Sequence, residues 1–401
     1  MQAPYVRCMP APFPDNVTAI TSARPKVLEF FAGVGLARMG LERAGFCVTW
    51  ANDYEPDKHA MYSTHFRDDE LGNPHTFELG DVFAVDRAAL PRDAALAWGS
   101  SPCTDLSLAG SRGGIRAGES NAFWGFIEVL RDLDDDRPAV AVLENVVGLA
   151  TSHGGDDLAA AIRAFNDLGY SVDVLVIDAR RFIPQSRPRL FLVGAQNPPE
   201  GAATPDSSLR PDYLSWVFSD DTLETHQMEL PELPAPLTAG LDDYIETMPV
   251  ADERWWDKER TDAFIKSLSP VQASRLSALR RASGVTYRTA YRRTRNGVAT
   301  WEVRPDDISG CLRTARGGSS KQAVVRVGNS RVHVRWMTPL EYARLMGAED
   351  YNLIGARTNQ ALFAFGDAVA VPAVEWLGKH YLMPLVKDSS VVRSSAVSLV
   401  Q

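Results

Sequence analysis

Cys103 stands directly after a proline in Ser100-Ser101-Pro102-Cys103-Thr104-Asp105, where the apolar run Ala95–Gly99 gives way to a loop. A cysteine so placed is pre-positioned and accessible, and its thiolate is a strong nucleophile wherever a positive neighbourhood holds its pKa below the ordinary value of about 8.5. A lone cysteine is more often a small buried apolar residue. What shifts the balance is Glu144-Asn145-Val146, which ends a second apolar run, Ala139–Leu143. Strand ends of one sheet share an edge, so this carboxyl stands beside the thiol. Burial raises a carboxyl pKa and makes it a proton donor near neutrality. A third group, Gln185-Ser186-Arg187-Pro188-Arg189, precedes the run Leu190–Gly194. In an extended segment its two guanidiniums, at alternate positions, face one side.

A ligand site is suggested by Phe30-Phe31-Ala32-Gly33-Val34-Gly35-Leu36, a glycine turn after the run Val27–Ala32. It is not a dinucleotide fingerprint, because Arg38 occupies the place of the third glycine. A two-glycine turn followed by Asp53 after the next strand suits a nucleoside without phosphates, whose ribose hydroxyls donate to a carboxylate. S-adenosylmethionine is the commonest such ligand. Gly80-Asp81-Val82 offers a second polar group for the adenine. Glycine turns at strand ends are, taken alone, more often structural than ligand-binding.

The elements that must carry these groups are legible as alternating strands and helices. Strand runs at Val27–Ala32, Phe46–Ala51, Ala95–Gly99, Ala139–Leu143, Val172–Ile177 and Leu190–Gly194 alternate with helical patterns such as Asp156–Leu168. The expected fold is α/β, a Rossmann-like, mostly parallel sheet with helices on both faces. Ligands in such sheets lie beyond the carboxyl ends of the strands. The rhythm breaks near Asn197, and resumes with a Thr338-capped, Pro-started helix to Met346 and another at Ala368–Tyr381. The expected layout is a Pro-rich arm (1–24), a catalytic cofactor-binding domain (25–197 and 336–385), a smaller inserted domain (198–335) and a tail (386–401).

The chain has 401 residues, 45% hydrophobic and 23% charged, proportions that exclude disordered, collagen-like and disulfide-scaffold classes. Four cysteines without a CxxC pair suit a reducing cytoplasm and argue against structural zinc. No apolar run approaches the ~18 residues of a membrane-spanning helix. Net charge is −9, yet Val271–Arg335 holds 14 Lys/Arg against three acidic residues. An acidic body with one basic segment is the asymmetry of a chain that faces a polyanion through one region. Within it, Leu312–Gln322 (LRTARGGSSKQ) has the composition of a loop that contacts phosphates and base edges, with Arg313, Arg316, Gly317, Ser319 and Lys321 as candidate nucleic-acid contacts. Trp255, Trp256 and Trp301 read as packing rather than base stacking.

FFAGVGLARMGLERAGF, GDV, SPCTDLSLAG, LENVVGL, QSRPRL and FGDAVAVP occur in the order and approximate spacing of the DNA (cytosine-5) methyltransferase family. The chain resembles that family over roughly residues 26–196 and 336–380. The resemblance implies an S-adenosylmethionine-binding α/β domain and a target-recognition domain inserted before the last motifs, where the basic segment falls. It also implies double-stranded DNA as partner, with the target cytosine swung out of the duplex. On that pattern Cys103 adds to C6, Glu144 supplies a proton at N3, Arg189 contacts O2, and Arg187 supports the pocket and the thiolate. The implied cofactor set is Phe31, Gly33, Gly35, Leu36, Asp53, Asp81, Val82, Pro102, Trp124, Asp367 and Ala368, without a metal.

Three departures are visible: Leu36 stands where the family has a third glycine, Thr104 where it often has Gln, and Asp367 where it often has Asn. Two other readings remain open, a tRNA cytosine-5 methyltransferase and a catalytically silent DNA-binding protein on the same scaffold. The first branch carries a Cys-Phe-Thr signature that this chain lacks. The second would lack the nucleophile or the acid, both of which are present. A cognate restriction endonuclease is a further partner if the enzyme belongs to a restriction–modification pair. A cytoplasmic monomer of a bacterium, archaeon or phage suits the asymmetric task of extruding one base.

Overall fold

Short apolar runs bounded by Gly and Asp/Asn turns become the strands of one large sheet. The structure, a computed structural model, describes residues 24–66, 75–102, 113–199, 208–295, 298–313 and 321–389. The sheet is built from β1 (Lys26–Phe30), β2 (Cys47–Asp53), β3 (Thr76–Leu79), β4 (Leu96–Ser100), β5 (Val140–Val146), β6 (Ser171–Asp178) and β7 (Pro188–Ala195). Helices α1 (Leu36–Arg43), α2 (Pro56–His65), α3 (Ala122–Asp132) and α4 (Asp156–Asn166) lie between them. The strand order is β3-β2-β1-β4-β5-β7-β6. All pairings are parallel except those of β7, which runs antiparallel to both β5 and β6. The link from Asp178 to Pro188 is too short for the crossover that a parallel neighbour requires. The order reverses between β1 and β4, so the crevice at a topological switch point opens above these two strands.

Alternate residues of each strand bury on opposite faces. Val27, Val48, Leu96 and Val142 join one core with α1 and the C-terminal helices, while Leu28, Phe30, Ala141 and Leu143 join another with α3 and α4. Glycine is required where elements approach closely. A Cβ on Gly40 would come within 2.6 Å of Val374 Cβ, and one on Gly35, at φ 77°, within 2.2 Å of the Phe66 ring.

A second sheet was not foreseen in the sequence. After α5 (Lys258–Lys266) and α6 (Pro270–Arg281) come β8 (Val285–Arg295), β9 (Val298–Val303), β10 (Ala323–Gly328) and β11 (Arg331–Trp336), antiparallel in the order β11-β10-β8-β9. Phe264, Leu276, Val325 and Val334 form its core. Trp256 packs against Trp301 and Trp336 with ring centroids 5.6 and 5.2 Å apart, as packing residues do. Not all of the segment 198–335 belongs to this unit. Leu209, Leu233, Leu241 and Ile245 are buried in one core of the large sheet, and Leu214, Val217 and Leu223 in the other. The compositional break near Asn197 is therefore not a break in packing.

The chain returns through α7 (Pro339–Leu345), α8 (Thr358–Asp367) and α9 (Val371–Leu377). Thr338 caps α7 in a capping box with Glu341. The expected helix Ala368–Tyr381 starts three residues later, and helical structure continues to Ser389, inside the expected tail. The run Thr358–Ser389 is long and apolar enough to cross a membrane by length and composition, but 72% of its apolar window is buried inside the protein, as in a core helix.

The second sheet meets α7 through a fully buried ion pair. Arg335 Nη1 donates to Glu341 Oε2 at 2.8 Å and Arg335 Nη2 also reaches Glu341, while the Glu246 N–H donates to Glu341 Oε1 at 2.9 Å. Glu341→Gln strands the guanidinium without its counter-ion. We expect it to lower stability by about 3–5 kcal/mol in urea denaturation, with the m-value unchanged.

Candidate active site

Parallel register places Ser100, the last residue of β4, opposite Glu144 of β5. Antiparallel register places Val146 opposite Arg189 of β7, so Arg189 and Glu144 project from the same face two positions apart. Arg189 Nε and Glu144 Oε1 are 3.0 Å apart, with side chains 12% and 7% exposed. Burial pushes the Glu144 carboxyl above its usual range, a push that Arg189, Arg187 and a hydrogen bond to Ser100 only partly offset. A carboxyl held this way is protonated more readily than an exposed one, yet its geometry is fixed by a guanidinium.

Cys103 lies outside the described residues, but the chain leading to it does not. Asn145 Nδ2 donates to the Ser101 hydroxyl at 3.0 Å, pinning the end of β4 one residue before Pro102, which is half-buried. Sequence reasoning did not assign Asn145 this role, although it stands inside the Glu144-Asn145-Val146 motif.

Arg187 is 1% exposed and does not share the role of Arg189. Its Nη1 donates to the Leu312 carbonyl at 2.6 Å and to Cys311 Sγ at 3.3 Å. Its Nη2 donates to the carbonyls of Gly366 at 3.0 Å and Ala368 at 2.5 Å. Gln185, fully buried, bridges the Leu312 N–H (3.1 Å) and the Leu345 carbonyl (2.5 Å). Cys311 is a residue that sequence reasoning passed over. Burial pushes its thiol up, but the guanidiniums of Arg187, Arg189 and Arg313 outweigh that and hold it below the ordinary value. Its signal was absent because only the returning chain brings it to the two arginines.

The cofactor-type residues gather at the carboxyl ends of β3, β2 and β1. Gly33 (φ 57°) and Gly35 (φ 77°) make the turn after β1, preceded by Phe31, a non-glycine residue also at positive φ (56°). Asp53 Oδ2 accepts the Gly33 N–H at 2.8 Å, which ties the end of β2 to this turn. Asp81 is exposed after β3 and accepts the Phe83 N–H. Trp124 stands in the first turn of α3, which packs on the 82–84 segment, and Arg116 lies 4.2 Å from the centre of its ring. Asp367 and Ala368 end α8 and face the same turn through Lys58, 3.0 Å from Asp367. The side chains of two further residues of the expected set, Leu36 and Val82, are 1% and 3% exposed and belong to the two cores.

Of the candidate nucleic-acid contacts, Arg313 is exposed. Lys321 donates to Asn359 Oδ1 at 2.9 Å and lies 5.5 Å from the Trp336 ring centre. Arg316, Gly317 and Ser319 lie outside the described residues, as do most of the arm and tail. Among the described residues no group of His, Cys, Asp and Glu is arranged to hold a metal.

A sheet with one antiparallel strand next to its edge and polar residues gathered at its carboxyl ends defines an α/β fold of the methyltransferase kind. The chain belongs to the C-5 cytosine-specific DNA methylase family, whose profile matches residues 25–382. Among relatives, the type II methyltransferase M.Bsp6I of Bacillus sp. (strain RFL6) is 26% identical, the match covering 88% of this chain and 98% of that one. The type II methyltransferase M.HpaII of Haemophilus parainfluenzae is 25% identical, covering 89% of each. The chain spans 55% of the orphan methyltransferase M.SPRI of Bacillus phage SPR, at 28% identity over 61% of this chain. The fold is that of S. pombe Dnmt2 methyltransferase, with a TM-score of 0.57 at 17% identity over 90% of this chain and 99% of that one.

The turn itself rests on a buried carboxyl. Gly35 caps α1 without a side chain, and Glu29 of β1 takes over the task, its Oε1 accepting the Arg38 N–H at 3.0 Å. Burial raises the Glu29 pKa from 4.5 to about 8 against the pull of Arg38. Between these two values the folded state keeps a proton that the unfolded chain has released, so the Glu29 contribution falls as pH rises from about 5 to about 8. Glu29→Gln keeps the acceptor and cannot ionise. We expect the variant to gain on the parent in chemical denaturation at pH 9, by about 5 kcal/mol at most, and to match it at pH 4.

Proposed function

We propose that this protein methylates C5 of a cytosine extruded from double-stranded DNA, at a defined sequence, using S-adenosylmethionine. The observation that carries the reading is the buried Glu144–Arg189 pair at 3.0 Å, opposite the strand that leads into Cys103. The residues present fit the cofactor. A Cβ on Gly80 would meet nothing within 4 Å, and one on Gly33 only the Lys58 stem and a carbonyl, so a cradle lies open along the carboxyl edge. Trp124 Nε1 is buried without a hydrogen-bond partner beside it. Asp53 and Asp81 suit ribose hydroxyls and an adenine amine. When bound, the cofactor supplies an electrophilic methyl group on a sulfonium.

The chain's own residues then divide the work. Cys103 adds its thiolate to C6, forming the C6–S bond and moving the electron pair of the 5,6 double bond towards C5 and N3. Glu144 delivers its proton at N3, so no full negative charge develops on the ring. Arg189 keeps the Glu144 carboxyl oriented and contacts O2. After C5 has taken the methyl group, its proton leaves, the C6–S bond breaks and the thiolate is restored. The Arg-rich β8–β9 hairpin and the 313–321 segment are the sequence-reading surface in this proposal, acting as a monomer in the cytoplasm. The type II names of the relatives support a restriction–modification setting with a cognate endonuclease.

Bisulfite sequencing of a plasmid from an expressing host is expected to reveal methylated cytosines in one sequence context. Folded protein with no methylated context would defeat the reading, and labelled-methyl transfer to RNA instead of DNA would move it to the tRNA branch. Glu144→Gln is expected to lower kcat by about 10²–10⁴-fold. Cys103→Ser is expected to abolish the covalent adduct with 5-fluorocytosine DNA, and an adduct that persists would show the nucleophile wrongly assigned.

A further inference from the structure

Along the carboxyl edge of the sheet the order is Asp81 after β3, Asp53 at the end of β2, the Gly33 turn after β1, and Pro102 after β4. A nucleoside thioether whose adenine lies at Asp81 and whose ribose lies at Asp53 must carry its amino-acid end over the Gly33 turn. Lys58 stands there. It leaves the first turn of α2, passes the turn with Cδ 3.9 Å from where a Gly33 Cβ would be, and reaches Asp367 at the end of α8. The lysine side chain is 14% exposed and the aspartate 41%, so the pair is open on one side only.

The pair is not the only link between these helices. Arg357 pairs with Asp57 at 2.8 Å, and Gln360 Nε2 donates to the Asp57 carbonyl at 2.8 Å, clasping the start of α8 to α2 independently of the pair at its end. Nor is Asp367 free to drift, since Arg187 grips the carbonyls of Gly366 and Ala368 on either side of it. A preset cation and anion, 3.0 Å apart over the turn, match a ligand that carries one anionic and one cationic group on the same carbon.

We propose that Lys58 and Asp367 form a zwitterion clamp for the amino-acid end of the cofactor, Lys58 taking the α-carboxylate and Asp367 the α-ammonium. The clamp rests on the S-adenosylmethionine reading above and adds to it the residues that recognise the half of the molecule lying beyond the ribose. It gives the carboxylate at position 367 a purpose that an amide would serve less well, because an amide carries no charge for an ammonium.

Calorimetric titration of the full chain with S-adenosylhomocysteine and with 5′-methylthioadenosine, which lacks the amino-acid end, tests it. For Lys58→Met we expect binding of S-adenosylhomocysteine to weaken about 10- to 100-fold, while that of 5′-methylthioadenosine stays within about twofold. Asp367→Asn is expected to act in the same direction on the first ligand alone. The double exchange Lys58→Asp with Asp367→Lys restores an ion pair across the helices but reverses its sense, and is expected to stay as weak as Lys58→Met for S-adenosylhomocysteine. Equal loss of both ligands, no loss of either, or recovery in the double exchange would overturn the clamp. A parent protein that binds neither ligand would remove the cofactor reading itself, and the clamp with it.

Discussion

One guanidinium holds three distant stretches of chain in register. Arg187 is buried beside β7, where it gathers the carbonyl of Leu312 and the thiol of Cys311, from the return of the inserted segment, and the carbonyls of Gly366 and Ala368, from the end of α8. Four acceptors around a fully desolvated cation leave little freedom in any of them, because displacing one would expose charge to an apolar interior. The return of the inserted segment and the end of α8 are thus set by the same group. Arg189, two residues along, is left to serve Glu144.

The pocket is also an electrostatic compromise. Glu144 is pushed towards its neutral form by burial, and Cys311 towards its charged form by the arginines around it. Two acidic groups placed around the same pair of guanidiniums therefore sit on opposite sides of their ordinary behaviour. That is the pattern expected of a site where one group must hand over a proton while the cations nearby still need a counter-charge.

Much of this was legible in the sequence, and the exceptions have a common cause. Glu144, Arg187 and Arg189 could be found because each ends or precedes an apolar run, so strand alternation alone brings them to one edge. The mostly parallel sheet followed from the same runs. β3 was missed because Thr76–Leu79 has no clean alternation and is half-exposed. β8 to β11 were missed because arginines interrupt their pattern, and a sheet with one charged face reads locally as a polar loop. Cys311 and Gln185 carry no local signal, since their partners lie more than 100 residues away in sequence. Leu36 was taken to line the turn because it replaces a glycine. In the fold, Leu36 is the first residue of α1 and its side chain is buried in one core of the large sheet.

The return of the chain beside β7 sets the size of the exchangeable part. Gln185 pairs with Ser309 as an isolated β-bridge, and Leu209 through Ile245 are buried in the body of the large sheet. A graft that swapped everything between Asn197 and Trp336 for a cousin's equivalent would tear out core side chains of the large sheet. The stretch that packs on a core of its own is shorter and runs from α5 through β11, where Phe264 and Leu276 close on Val325 and Val334.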